Sequence, residues 1–226
     1  MIYLMANHSS VWKLRKNGHN MGWMIGYASW KKPSRADMQL PYAIDNGMYF
    51  PHGEQPHGGD RLCEFFGRCA KAFAVHAPLF AIVPDMPYDW LETVRRWDQW
   101  YPRCRELAPT WRWGIAVQDG ATIDDIERLG IRGDKYAICV GGSSEWKDAT
   151  IRMWATWCRG NGTWCHVLRV NDTARLNVCI DEGVQSVDGT GLFRGDLQPA
   201  YPGDVVTKSA HSVCGDHDGF GEYGRP

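Results

Sequence analysis

Eight short apolar runs punctuate the 226-residue chain, and each gives way to a polar or helix-like stretch before the next begins. They are Ile2 to Ala6, Met21 to Ala28, Pro41 to Ile44, Leu79 to Val83, Trp111 to Val117, Tyr136 to Val140, Trp164 to Leu168 and Val184 to Val187. A continuous apolar run of this length, without alternation, is what a strand covered on both faces looks like, because both sets of its side chains are withdrawn from water. Sheets of such strands are parallel, with helices as crossovers packed on their faces.

The intervening stretches have the helical period. Leu62, Phe65, Phe66, Cys69 and Phe73 fall on one side of Arg61 to His76, and Trp90, Leu91, Val94, Trp97 and Tyr101 on one side of Tyr88 to Leu107, which follows Pro87. Thr122 can cap a helix, with Asp125 as capping-box partner three residues on. Trp146 to Cys158 and Asp172 to Glu182 complete the set, the last closed by Gly183 at the C′ position. Eight strands alternating with helices predict an α/β fold, a compact (β/α)8 TIM-like barrel, ahead of an open doubly wound sheet. Neither GxGxxG nor GxxxxGK followed by Ser or Thr occurs, so a nucleotide-binding sheet lacks its fingerprint. A barrel of about 200 to 250 residues is ordinary as one domain. Residues 1–226 therefore read as a single barrel domain, with 1–40 a basic and aromatic N-terminal part and 189–226 an irregular C-terminal cap rich in Gly, Pro and Asp.

Charge narrows the function. A formal net charge of −1 argues against a protein that simply coats nucleic acid, which draws its affinity from phosphate neutralisation. It leaves room for one basic face. Lys13, Arg15, Lys16, Lys31, Lys32 and Arg35 interleave with Trp12, Trp23 and Trp30, which is either a strand-tracking surface or a solvated face over core tryptophans. The eight cysteines form no CxxC pair, and the opening MIYLMANHSS lacks the basic and long apolar parts of a secretory signal. Reduced, mostly buried thiols in a cytoplasmic setting are expected, with no membrane span.

The chemistry lies where the apolar runs stop. Asp45, Asp85, Gln118, Gly141, Gly142 and Asp188 stand at or just past the C-terminal ends of the runs. In a barrel those ends meet at one mouth, where active sites lie. Singly, each has an ordinary structural use as turn, cap or backbone partner. Together they make a coherent set. A carboxylate and a carboxamide can grip the donor–acceptor edge of a purine, a Gly-Gly turn admits a flat ligand, and two more carboxylates can act as nucleophile and acid/base in a displacement at an anomeric carbon. A metal-dependent amidohydrolase barrel would instead need histidines at strand ends, and the one histidine that comes close, His166, is near the start of a strand.

The segments around these residues are YAIDNGMYF (42–50), AIVPDMPYD (81–89), WGIAVQDG (113–120), YAICVGGSSEWK (136–147) and HVLRVNDTARLNVCIDEGVQSVDGTG (166–191). In order and spacing they resemble five segments of the tRNA-guanine transglycosylase superfamily, including its DSGGFQ, VQGG and GGLAVGE stretches. The resemblance covers roughly residues 40 to 195. The chain is short beside the tRNA enzymes, and so looks most like the phage deazapurine DNA-modification members.

What the resemblance implies is a base exchange on nucleic acid. Asp188 matches the nucleophile that attacks C1′ and expels guanine, and Asp45 the general acid/base. Asp85 and Gln118 match the readers of the guanine edge, with Gly141 and Gly142 offering backbone contacts. Tyr49 matches the aromatic stacked on the base, and Arg169 falls where a residue covers the opposite base face. The expected partners are DNA, its guanine flipped out or single-stranded, and a 7-deazaguanine base, with tRNA as the second choice. A non-catalytic barrel that binds a deazapurine or nucleic acid is the third. The exchange itself implies no cofactor. The sequence departs from the family at Met48, where the second Gly of DSGGFQ would stand, and in lacking the zinc motif CxCxxC. His211, Cys214 and His217 have ligand-like spacing and are the zinc candidates.

Overall fold

The computed structural model describes residues 1–6, 8–16, 18–27, 34, 37–48, 59–74 and 76–190. Its strands are β1 (Ile2–Met5), β2 (Met21–Gly26), β3 (Tyr42–Asp45), β4 (Ala81–Ile82), β5 (Trp113–Val117), β6 (Tyr136–Val140), β7 (Trp164–Val167) and β8 (Ser186–Asp188). They pair in sequence order, all parallel, and β8 returns to β1 through Ile2–Ser186, Tyr3–Val187 and Leu4–Asp188 to close the barrel. The described helices are α1 (His8–Lys16), α2 (Gly59–Ala72), α3 (Trp90–Leu107), α4 (Ile123–Arg128), α5 (Ser144–Asn161) and α6 (Thr173–Asp181). The fold is thus the expected (β/α)8 barrel.

The period of two along each strand sorts its side chains. Tyr3, Trp23, Ile25, Tyr42, Ile44, Trp113, Ile115, Ile138, Val140 and Val187 point outward into the layer shared with the helices. Leu4, Met24, Ala43, Phe80, Ile82, Ala116, Ala137 and Cys139 fill the interior, with Trp164 and Leu168 packed against them. Two strand positions are too close to their neighbours for a side chain and carry glycine. A Cβ on Gly22 would lie 2.7 Å from Leu4 Cδ2 and 2.6 Å from the Pro41 carbonyl, and one on Gly114 would lie 3.0 Å from Cys139 Sγ. The seven described cysteines are buried and none is in a disulfide.

Local signals set the helix ends. Asp89, Thr122, Ser143 and Asp172 cap α3, α4, α5 and α6, each accepting a bond from the backbone N–H three residues on. At Thr122 the reciprocal bond from Asp125 completes the capping box. Gly183 (φ +70°) ends α6, with Gly183 N–H bonded to the Ile180 carbonyl and Val184 N–H to the Cys179 carbonyl. β4 is short, but its neighbours continue the ladder: Leu79 N–H donates to Tyr42 O (2.7 Å) and Val83 N–H to Gly114 O (2.9 Å).

The N-terminal part differs from one of its two readings. Lys13, Arg15 and Lys16 occupy the last turn of α1. That helix runs back from the mouth, and Arg15 Nη1 donates to the carbonyl of Met21, the first residue of β2 (2.8 Å). These cations therefore sit at the end of the barrel opposite the strand C-termini. Trp23 is buried in the core, and half-buried Trp12 packs on it. The structure favours core tryptophans under a solvated face. Trp30, Lys31, Lys32 and Arg35 lie outside the described residues.

Candidate active site

Parity along the strands carries the polar residues inward. Asp45 follows Ala43 by two, Gln118 follows Ala116, and Asp188 follows Ser186, while Cys139 is succeeded by Gly141. With Asp85 just past β4, they converge on a cavity of about 210 Å³ at the C-terminal mouth, lined also by Asn46, Gly142 and Arg169. Every predicted site residue within the described chain thus lines one pocket. Tyr49, His211, Cys214 and His217 lie outside the described residues, and so does the cap beyond Thr190. Among the described residues no group of His, Cys, Asp or Glu is arranged to hold a metal ion. None of their helices is long and apolar enough to cross a membrane.

One wall of the pocket is a locked carboxylate–carboxamide pair. Asp85 Oδ2 accepts from Gln118 Nε2 (2.6 Å) and Oδ1 from Asn46 Nδ2 (2.9 Å). Asn46 is itself fixed: its Nδ2 also donates to Val83 O (2.8 Å), and its Oδ1 accepts from Met48 N–H (3.0 Å). Gln118 Oε1 accepts from the N–H groups of Gly142 (2.8 Å) and Tyr88 (3.0 Å), so the orientation of the amide is set by its partners. Arg96 Nη1 ties the Asp85 carbonyl (2.7 Å). Burial pushes Asp85 above the usual carboxylate range, against the pull of both amides and Arg96.

The glycine pair offers surface rather than donors. Gly141 N–H is taken by the Val117 carbonyl (2.9 Å) and Gly142 N–H by Gln118. A Cβ on Gly141 would stand 3.0 Å from Gln118 Nε2, and Gly142 has φ +75° with Asp119 Oδ2 only 2.5 Å from its hypothetical Cβ. No larger residue fits this wall undisturbed.

The opposite side carries the two remaining carboxylates. Burial, and then the negative charge of Asp188, pushes Asp45 up to about 7, while the N–H groups of Gly47 and Asn46 pull it down. Asp188 Oδ1 accepts from Arg169 N–H (2.9 Å) and faces His166 Nε2 at 3.2 Å. Its Oδ2 carries no hydrogen bond among the described residues. Arg169 reaches this position with φ +56°, and Tyr88 opposite it has φ +68°. Non-glycine residues adopt this region only when surrounding contacts hold them. Here Arg169 Nη1 donates to Tyr88 Oη (2.8 Å) and Nη2 to Gly142 O (2.8 Å), the guanidinium lying 5.3 Å from the Tyr88 ring centroid. This bridge spans the mouth. Below it, buried Lys147 donates to Leu168 O (3.0 Å) and is pushed down to about 8 by burial and then by Arg169 and Arg175.

Asn46, Tyr88 and Ser186 carry no site signal of their own in the sequence, and His166 stands there only as the histidine weighed for an amidohydrolase barrel. The available signal was parity: His166 shares the inward face with Trp164 and Leu168, and pairs in register with Ser186.

Fold and site together define a (β/α)8 barrel with a carboxylate-rich pocket at its C-terminal mouth. Among solved structures, a "putative isomerase" from Sinorhizobium meliloti in an open-loop conformation superposes with a TM-score of 0.49 at 9% identity, over 86% of this chain and 52% of that one. A second Sinorhizobium meliloti structure under the same name gives 0.48 at 9%, over 86% and 51%. Monomers of the dimeric phosphoribosylanthranilate isomerase from Thermotoga maritima give 0.47 at 14%, over 94% and 98%. The chain spans about half the length of the Sinorhizobium meliloti protein. These likenesses decide nothing about the chemistry of the mouth. No family model and no curated protein matches the sequence.

Proposed function

We propose that this chain is a base-exchanging transglycosylase acting on guanine in DNA, with a 7-deazaguanine as incoming base. The observation that carries the reading is the division of the pocket. On one side stand two carboxylates in unequal environments, Asp45 held near 7 and Asp188 with one oxygen bound and one free. On the other stands the Asp85–Gln118 edge. A carboxyl raised toward neutrality can act as acid/base beside a second carboxylate that acts as nucleophile. The motif resemblance of residues 40 to 195 supports the choice of substrate.

In this reading Asp188 Oδ2 attacks C1′ of the target nucleotide. The C1′–N9 bond breaks and its electron pair leaves with guanine, which takes the proton of neutral Asp45. The product of this half-reaction is a glycosyl ester on Asp188. The incoming base then gives its ring N–H proton to Asp45, attacks C1′, and releases the Asp188 carboxylate. One N–H is consumed and one restored, with no change of oxidation state. Asp85 accepts from the N1–H and amino group of the purine, while the second Nε2 hydrogen of Gln118 serves its carbonyl. Arg169 covers one base face.

The test is release of labelled guanine from duplex DNA, single-stranded DNA and tRNA, with and without 7-cyano-7-deazaguanine, beside Asp188→Ala. Asp188-dependent exchange from DNA supports the proposal. Exchange from tRNA alone keeps the chemistry and replaces the polymer. Tight deazapurine binding without exchange or covalent adduct replaces the enzyme with a binding barrel.

A further inference from the structure

Behind Asp188 lies a chain of hydrogen-bonded groups that the exchange reaction does not use. Trp164 Nε1 donates to Ser186 Oγ (2.9 Å), Ser186 Oγ lies 2.9 Å from His166 Nδ1, and His166 Nε2 lies 3.2 Å from Asp188 Oδ1. His166 and Ser186 are both 0% exposed, and the imidazole packs 4.7 Å from the Phe80 ring.

Counting donors settles where the protons are. The indole N–H can only donate, so Ser186 Oγ accepts from Trp164. The Ser186 hydroxyl proton then needs an acceptor, since a buried hydroxyl left without one is costly. Among the described residues His166 Nδ1 is the only acceptor within hydrogen-bond reach of it. Nδ1 is therefore unprotonated, and the imidazole proton sits on Nε2, facing Asp188. The other tautomer strands the serine proton and sets an imidazole lone pair against a carboxylate oxygen. A doubly protonated ring strands the serine proton as well.

We propose that His166 is the positioning residue of the nucleophile, a neutral Nε2–H imidazole whose tautomer is set by Trp164 and Ser186. It rests, for its catalytic consequence, on the transglycosylase reading above. With the Arg169 N–H it holds Oδ1 of Asp188, which leaves Oδ2 as the oxygen without a partner among the described residues. The strand register makes this possible: His166 pairs with Ser186, and Asp188 is the next inward residue on β8. His166 itself touches no reacting atom.

The experiment has two arms on the full-length chain. In the first, nitrogen NMR of histidine-labelled protein, with the His166 signals identified by their loss in His166→Gln, reports the neutral Nε2–H tautomer in the wild type. Ser186→Ala removes the hydroxyl and gives a mixture of tautomers. An Nδ1–H imidazole or an imidazolium at neutral pH in the wild type overturns the proposal. In the second arm, His166→Leu lowers kcat by roughly 100-fold, the scale expected when a reacting group loses its orientation, with KM little changed. His166→Gln, whose amide places a donor where Nε2–H was, recovers most of that loss. Equal rates for Leu and Gln variants of equal folded content by circular dichroism overturn it. If the wild type exchanges no base from any nucleic acid, the proposed function falls, while the tautomer arm still decides the placement of the proton.

Discussion

Asp45→Asn is expected to make the protein more stable, and only above a defined pH. Burial and the neighbouring charge of Asp188 raise the Asp45 carboxyl from 3.8 to about 7. Below 3.8 both folded and unfolded chains hold the proton, and the residue has no effect on stability. Between 3.8 and about 7 the folded chain keeps a proton that the unfolded chain has lost, so stability falls as pH rises; above about 7 the loss is complete. At 1.36 kcal/mol per pH unit the full rise is worth about 4 kcal/mol. Asp45 is only half-buried at an open mouth, so screening by water makes that a ceiling and about 2 kcal/mol the working figure. Asparagine keeps the shape and never ionises. In thermal melts the variant and the wild type should coincide near pH 3 and separate as pH rises toward 7. At pH 8 the variant should melt about 4–8 °C higher, by the usual 2–4 °C per kcal/mol for a chain of this size. Asp188→Asn in the background should shrink the gap, because the second cause of the shift is then gone. Parallel pH curves for variant and wild type, or an asparagine variant less stable at pH 8, would refute the account of Asp45.

Exchange activity should fall as pH rises through about 7, because the acid that protonates the leaving base is then ionised; the apparent value belongs to the Asp45–Asp188 pair, and a rate profile from pH 5 to 9 shows the limb or its absence. Asp85→Ala removes an acceptor, leaves Gln118 Nε2 without its partner and leaves Asn46 Nδ2 with the Val83 carbonyl alone, so deazapurine binding by calorimetry should weaken by about 10- to 100-fold. Gly142→Ala forces a Cβ to 2.5 Å from Asp119 Oδ2 at φ +75°, and should lower stability by about 1–3 kcal/mol in urea melts together with loss of base binding. Thr122→Ala, far from the pocket, should cost about 1 kcal/mol through the lost capping box and leave exchange rates alone.

The barrel was legible because its strands are buried on both faces. Ile2 to Ala6, Tyr136 to Val140 and Trp164 to Leu168 each place β-strand residues in the core, inside and outside, so composition alone marks them. The helix ends were legible at Thr122 and Gly183 because a cap is a local device, complete within a few residues. Helix α1 was not. Its single turnful of apolar residues, Val11, Trp12 and Leu14, is interrupted by Lys13 and carries no acidic first turn, so the basic residues dominated the reading. The bond from Arg15 to the first residue of β2 and the burial of Trp23 show which way that segment faces.

The site divides in the same way. Asp45, Gln118 and Asp188 end apolar runs, where a polar residue stands out against its neighbours. Asn46 and His166 stand out less, since their value depends on residues far away in sequence: Asn46 on Asp85 and Val83, His166 on Ser186 and Asp188. Strand parity narrows the search without a structure. Once Asp188 is placed inward at the end of β8, Ser186 must also face inward, and a parallel neighbour of matching register must set a side chain beside it. Parity cannot choose between adjacent registers, and a slip of one residue would turn His166 outward among the helices and bring an apolar side chain, Cys165 or Val167, to Ser186. The closed barrel removes that freedom. Eight strands bonded in a ring leave no edge at which one strand can slide without breaking ladders on both sides, so the pairing of β1 with β8 fixes the height of Asp188, and the pairing of β6, β7 and β8 fixes His166 behind it. The site's second layer is thus a property of closure, and it becomes readable only when the ring is.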